Sequence, residues 1–166
     1  PGAPRTFYRD LMARTRGRVV LDARGPELLE ALALRPFCVK PNREELGKTF
    51  GRELRTDEDL KDAMRETVRL GAEWAVVSAG KDRLWVLSPG ELHAFRPAKV
   101  ATVNPIGCGD CLAAGIAWSA DRGADMLEAV RFGMAAAAEN ATMLLPSRLD
   151  VERVRRRMAD VTVERM

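Results

Sequence analysis

The chain has 166 residues, 46% of them hydrophobic and 31% charged, an ordinary balance for a globular domain that excludes an intrinsically disordered chain. No apolar run approaches the roughly 20 residues a spanning helix needs, and Pro1-Gly2-Ala3-Pro4-Arg5 lacks the apolar core of a signal peptide, so no membrane partner is expected and the cytoplasm is the expected compartment. The net charge of +3 is spread along the chain, and the basic run Arg153-Val154-Arg155-Arg156-Arg157 has no aromatic neighbours for base stacking; it reads as a solvated helix face, and no nucleic-acid partner is expected.

In chain order, Arg5 to Arg16 carries Phe7, Tyr8, Leu11 and Met12 at helical spacing and predicts a first helix, closed by Gly17. Arg18 to Ala23 is a short apolar strand, and Gly25-Pro26 opens a helix over Glu27 to Ala33. Phe37 to Lys40 is a second strand, ended by Pro41. Asn42 then stands as N-cap with Glu45 as its reciprocal partner, and Thr56-Asp57-Glu58-Asp59 opens a helix that runs to Leu70. Glu73 to Ser78 is a buried-type strand ending at Gly80. Leu84 to Ser88 and Glu91 to Arg96 flank Pro89-Gly90 and predict an antiparallel hairpin. Val100 to Val103 reads as a strand before a glycine loop; helices over 110–121 and 125–144 follow, and helical residues 151–160 finish the chain.

Strands alternating with helices argue for a single α/β domain over 1–166 with a mainly parallel sheet and one antiparallel hairpin. Ligands gather at the carboxyl ends of strands in such sheets, and Lys40-Pro41-Asn42, Ser78-Ala79-Gly80 and Asn104-Pro105 each follow a strand. Cys38, Cys108 and Cys111 are an odd count and imply thiols rather than a disulfide framework. Cys108-Gly109-Asp110-Cys111 reads formally as C-x-x-C, which leaves a redox or metal role beside simple packing at a glycine turn.

The segment Asn104-Pro105-Ile106-Gly107-Cys108-Gly109-Asp110 carries the chemistry. Two glycines let the backbone turn with its N–H groups inward, where the positive end of a helix stabilises a transferring phosphate. The carboxylate of Asp110 can take a proton from an attacking hydroxyl, although a helix cap after a turn would leave the same residues. A single histidine, His93, makes a Ser/His/Asp triad improbable.

The order strand-Lys-Pro-Asn-x-x-Glu over 39–45, strand-Ser-x-Gly over 78–80 and Asn-Pro-x-Gly-x-Gly-Asp over 104–110 resembles the PfkB, ribokinase-like family of sugar kinases. Val39 to Leu46 and Val103 to Gly107 look most like its 1-phosphofructokinase and tagatose-6-phosphate kinase branch. The resemblance implies a ribokinase-like three-layer α/β/α fold, truncated at its N-terminal side, because family members run to about twice this length. It implies ATP as cofactor and a sugar phosphate as acceptor, with Asp110 as catalytic base and Gly107, Cys108 and Gly109 as anion hole. Asn42 and Glu45 match the motif that organises Mg²⁺ through water, which suits a hard cation that keeps its waters, yet the capping box describes the same pair equally well. Lys40, Ser78 and Gly80 match nucleotide or phosphate contacts, while Lys81-Asp82-Arg83 stands where the family often has a further glycine. Adenine is expected between residues 97–102 and a helix carrying Phe132, Gly133, Ala136, Ala137 and Asn140, with Asn140 bonding base or ribose. Asp22 faces the same cleft or caps the next helix.

The expected activity is phosphoryl transfer to a sugar-phosphate hydroxyl, weak or absent in this stretch alone because the family's sugar site lies upstream. A nucleotide-binding module without chemistry is the alternative, and a vitamin kinase of the wider group is another, against which Lys40-Pro41-Asn42 argues. A half sheet would leave an apolar edge, so a homodimer is an expected partner arrangement.

Overall fold

The computed structural model describes residues 2–79 and 83–166. Its helices are α1 (Phe7–Met12), α2 (Gly25–Leu32), α3 (Arg43–Thr49), α4 (Asp57–Arg69), α5 (Cys108–Asp121), α6 (Met126–Ala141) and α7 (Val151–Arg157). Its strands are β1 (Val20–Leu21), β2 (Cys38–Val39), β3 (Trp74–Ala79), β4 (Arg83–Leu87), β5 (Leu92–Arg96) and β6 (Thr162–Arg165), which lie in one sheet in that order. Pairing is parallel at β1–β2 and β2–β3 and antiparallel at β3–β4. Residues 88–91 join β4 to its neighbour β5, a connection too short for parallel strands. The Ser88 amide closes that turn on the Glu91 carbonyl at 3.0 Å, so the Pro89-Gly90 hairpin stands as expected. The β3–β4 pair was not foreseen, because a continuous apolar run reads alike in either pairing direction.

Two expectations fail. Val100 to Val103 forms no strand; the Val103 and Asn104 amides both donate to the Ala141 carbonyl, at 2.7 and 3.1 Å, so the end of α6 takes the bonds a ladder would have taken. Nor does the chain finish in a helix. After α7 and a 3₁₀ turn over Met158–Asp160, the β-branched Val161-Thr162-Val163 leads into β6.

The chain forms two compact units, Pro1–Ala94 with Arg165–Met166, and Phe95–Glu164. In the first, α2 and α4 bury Leu28, Leu32, Leu60 and Met64 in a core with Val39, Val77 and Trp85 of the strands. α4 takes its direction from a buried stripe at Leu60, Ala63, Met64 and Thr67 and its start, expected at Thr56, from a capping box of Thr56 and Asp59. Asp59 accepts the Thr56 amide, and that hydrogen bond holds its carboxyl below the usual range.

In the second unit α5 and α6 touch backbone to backbone. A Cβ on Gly115 would lie 2.6 Å from the Gly133 Cα, and one on Gly133 would lie 2.6 Å from the Leu112 carbonyl oxygen. α7 lies against α6 through buried Val154 and a buried carboxylate, Glu139, which is met by Arg153 and Arg157. The basic run is therefore only partly a solvated face: Arg155 pairs with Glu152 at the surface, while Arg153 and Arg157 neutralise a buried charge.

Gly115→Ala should force α5 and α6 apart and lower stability by about 1–3 kcal/mol. Gly90→Ala, where an added Cβ meets nothing within 4 Å, should be near neutral, and urea denaturation of both variants checks the contrast.

Candidate phosphate-handling site

In the first unit the candidate residues gather where β2 and β3 end. The Lys40 amide donates to the Leu21 carbonyl at 2.9 Å, continuing the β1–β2 ladder, and its ammonium, buried, lies 2.9 Å from the Asp22 carboxylate. Lys40 is thus no surface lysine. Asp22 spends itself on that ion pair rather than on a cap, since the N-cap of α2 is Arg24. Behind them Cys38 is fully buried, and desolvation pushes its thiol up to about 12, against the lowering influence of Lys40.

Asn42 caps α3. Its Oδ1 accepts the Glu45 amide at 2.9 Å, and Glu45 Oε2 accepts the Asn42 amide at 3.0 Å, a complete capping box. Glu45 Oε1 also meets Arg24 at 3.4 Å. Each carboxylate oxygen keeps a second lone pair, so the donor set is one carboxylate and one amide. That set suits a magnesium ion held through its waters and is too small for a direct cage. Among the described residues no group of three or more His, Cys, Asp or Glu could hold a metal.

A parallel bridge pairs Asn42 with Ser78 at the end of β3, so two motifs separated by more than thirty residues in the sequence meet. Both line an open cleft of about 1040 Å³ with Arg43, Lys48, Arg52 and Arg55. Arg43 is committed elsewhere: it donates to the carbonyls of Leu54, Arg55 and Thr56 and pairs with Asp57. Gly80, and with it Lys81, lies outside the described residues.

In the second unit the glycine loop is built as a helix entrance. Gly107 is the N-cap of α5 at φ +80°, a left-handed conformation that explains glycine there. Asp110 falls in the first turn of α5 and is exposed. The first N–H groups of a helix lack intrahelical partners. Here the Cys108 amide turns back to the Pro105 carbonyl at 3.3 Å and the Cys111 amide bonds the Gly107 carbonyl at 2.8 Å, which leaves the Gly107, Gly109 and Asp110 amides without an intramolecular partner among the described residues. Of the residues expected as an anion hole, Gly107 and Gly109 keep free amides, whereas the Cys108 amide is bonded within the turn.

The loop is fastened from behind. Asn104 Oδ1 accepts the Ile106 amide at 3.0 Å, an Asx turn, and its Nδ2 donates to the Leu144 carbonyl at 3.0 Å. Asn140, fully buried, donates Nδ2 to the Ile106 carbonyl at 2.8 Å and to Cys108 Sγ at 3.4 Å, while its Oδ1 accepts the Ser147 amide at 2.7 Å. Asn140 therefore carries a different task from the base contact expected of it: both ends of its amide are taken up in holding the turn. Nor does α6 offer a small-residue face to a ring, because Phe132, Gly133 and Ala136 are buried and Gly133 is closed by α5. Phe132 instead stacks on Trp118, ring centroids 4.8 Å apart, in the wall of a cavity of about 300 Å³ that Asp110, Cys111 and Leu149 also line.

Residues 10–146 match the model of the pfkB family carbohydrate kinases. The chain belongs to that family. It is 32% identical over 124 residues to 1-phosphofructokinase of Bacillus subtilis (strain 168), covering 75% of this chain and 41% of that protein. Its fold superposes on phosphofructokinase-2 from Escherichia coli, solved in complex with potassium, with a TM-score of 0.85 and 27% identity, over 96% of this chain and 53% of that one. Ribokinase from Thermotoga maritima gives a TM-score of 0.80 at 25% identity, over 94% of this chain and 54% of that one. The ribokinase-like α/β fold is therefore established, and the chain spans about half the length of the relatives it matches, or less.

Sequence reasoning missed Ser147, at φ +63°, whose backbone amide completes the Asn140 clamp and leaves no side-chain signature. Asn140→Ala should free the loop at a cost of roughly 2–3 kcal/mol, because it strands buried partners at once. Hydrogen exchange checks it: amides of 104–111 should exchange faster, with those of β2 and β3 unchanged.

Proposed function

We propose that this chain supplies the phosphate-handling part of an ATP-dependent kinase acting on a sugar phosphate, of the 1-phosphofructokinase or tagatose-6-phosphate kinase kind. The observation that carries the reading is Gly107 at φ +80° capping α5, with exposed Asp110 in the first turn. Asp110 is the base that takes the proton from the sugar hydroxyl, and the Gly109 and Asp110 amides stabilise charge on the transferring phosphate. Asn140 and Asn104 are positioning residues that hold those amides. Asn42 and Glu45 would hold Mg²⁺ through its waters, and Ser78 and Lys40 would serve the phosphates. The ion supplies neutralisation of phosphate charge when bound. The base is assigned to exposed Val103, Leu144 and Leu145, which the bonds of Val103 to Ala141 and of Asn104 to Leu144 bring beside the loop. Membership of a carbohydrate-kinase family supports the cytoplasm as the proposed compartment.

Titration calorimetry with ATP and Mg²⁺ tests the reading. Binding is expected, and Gly107→Ala should weaken it roughly tenfold, since an L side chain at that φ costs about 1–2 kcal/mol. With fructose 1-phosphate, fructose 6-phosphate or tagatose 6-phosphate added, ADP release by this chain alone should be slight, and whatever the sugar phosphate stimulates should fall by about 100-fold or more in Asp110→Asn. Absence of nucleotide binding would overturn the reading. Binding indifferent to all three sugar phosphates would favour a nucleotide-binding module.

A further inference from the structure

Cys108 and Cys111 stand in the first turn of α5 with Gly109 and Asp110 between them. Helix geometry puts Cα atoms at this spacing about 5 Å apart and sets both side chains on one face, within the span of a disulfide. The contacts agree. Cys108 Sγ lies 3.4 Å from the Ala137 carbonyl, to which it donates, and 3.4 Å from Asn140 Nδ2. Cys111 Sγ lies 4.0 Å from Ser147 Oγ, and the Ser147 amide is itself bound to Asn140 Oδ1. Both sulfurs therefore abut one Asn140–Ser147 pair and face the same wall of the unit. Cys108 is half-buried and so the more accessible of the two, whereas Cys111 is buried. Desolvation raises the Cys111 thiol, which casts it as the second reactant. Cys38 is sealed in the other unit and serves as an internal control.

We propose that Cys108 and Cys111 are a reversible dithiol–disulfide pair whose oxidation distorts the phosphate-binding turn they bracket. The oxidant is a small-molecule disulfide. The Cys108 sulfur, losing its proton, attacks one sulfur of the reagent; the reagent S–S bond breaks, and one small thiolate leaves and takes up that proton. The Cys111 sulfur, losing its proton in turn, attacks the Cys108 sulfur of the mixed disulfide and expels the second small thiol. Two protein thiols are thereby oxidised to one disulfide, and one reagent disulfide is reduced to two thiols. Cys108 loses the hydrogen it donates to Ala137, and its sulfur is drawn from Asn140 toward Cys111. The Gly109 and Asp110 amides lie on the backbone that must follow. The effect on nucleotide rests on the phosphate-handling reading above; formation of the bond does not.

The test equilibrates the whole chain with graded ratios of oxidised to reduced glutathione, traps free thiols by alkylation and reads masses of intact protein and peptides. Expected are loss of two hydrogens, a peptide linked between Cys108 and Cys111, and an unmodified Cys38. Cys111→Ser should stop at a glutathione adduct on Cys108, and Cys108→Ser should give neither bond nor adduct. A glutathione adduct without the internal bond in the unsubstituted chain, or a pair left fully reduced under the most oxidising ratio, would overturn the proposal. For the consequence, the oxidised chain should bind ATP with Mg²⁺ at least roughly tenfold more weakly and recover on reduction, the worth of one lost hydrogen bond to a charged group. A formed disulfide with unchanged affinity would overturn the coupling. A reduced chain that binds no ATP would sink the phosphate reading instead and leave the mass result standing.

Discussion

The second unit depends on one buried amide. Asn140 sits fully enclosed at the end of α6 and spends its donor on the Ile106 carbonyl and its acceptor on the Ser147 amide, thereby tying a turn that precedes α5 to a segment that follows α6. A turn at φ +80° has no ladder to hold it, and its outward amides are useful only if their direction is fixed before a charge arrives. The Asx turn of Asn104 and the close approach of Gly115 to Gly133 serve the same end, bringing the ends of α5 and α6 near enough for a short side chain to bridge. The same enclosure sets two cysteines against one wall, so the chemistry of the turn and of its thiols share one scaffold.

In the first unit a different constraint operates: the polar ends of strands are neutralised locally. Lys40 is buried because Asp22 neutralises it, and Asn42 and Glu45 satisfy one another at the start of α3. The capping box and a water-mediated metal role do not compete, because a carboxylate that accepts one backbone amide keeps lone pairs for water. A cap that orients the carboxylate also removes its freedom to turn away, which is what a group meant to order the waters of an ion requires.

Much of this was legible before the structure. Local signals carried furthest where the determining atoms lie within four residues: the Asn42–Glu45 cap, the helix start at Thr56, the Pro89-Gly90 hairpin and the glycine helix entrance form as read. The misreadings share a cause, which is that the partner lies far away in sequence. Val100 to Val103 has the composition of a strand, but its end bonds to Ala141. The alanines and glycine of α6 look like room for a ring, and α5 fills that room. The arginines of α7 look solvated until Glu139 is found buried beneath two of them. Asn140 was singled out for a base or ribose contact and is found bonded to Ile106 and Ser147, because an amide in a small-residue helix reads alike whether it faces a ligand or a loop.

The central claim is that the fastened turn offers the Gly109 and Asp110 amides to phosphate. The most direct measurement is a two-dimensional amide NMR spectrum of the isotope-labelled chain, titrated with ATP and Mg²⁺. The account predicts that the Gly109 and Asp110 resonances move with the nucleotide and that Asn140→Ala broadens or abolishes their response. A saturating titration that shifts other amides while these two stay fixed would contradict it.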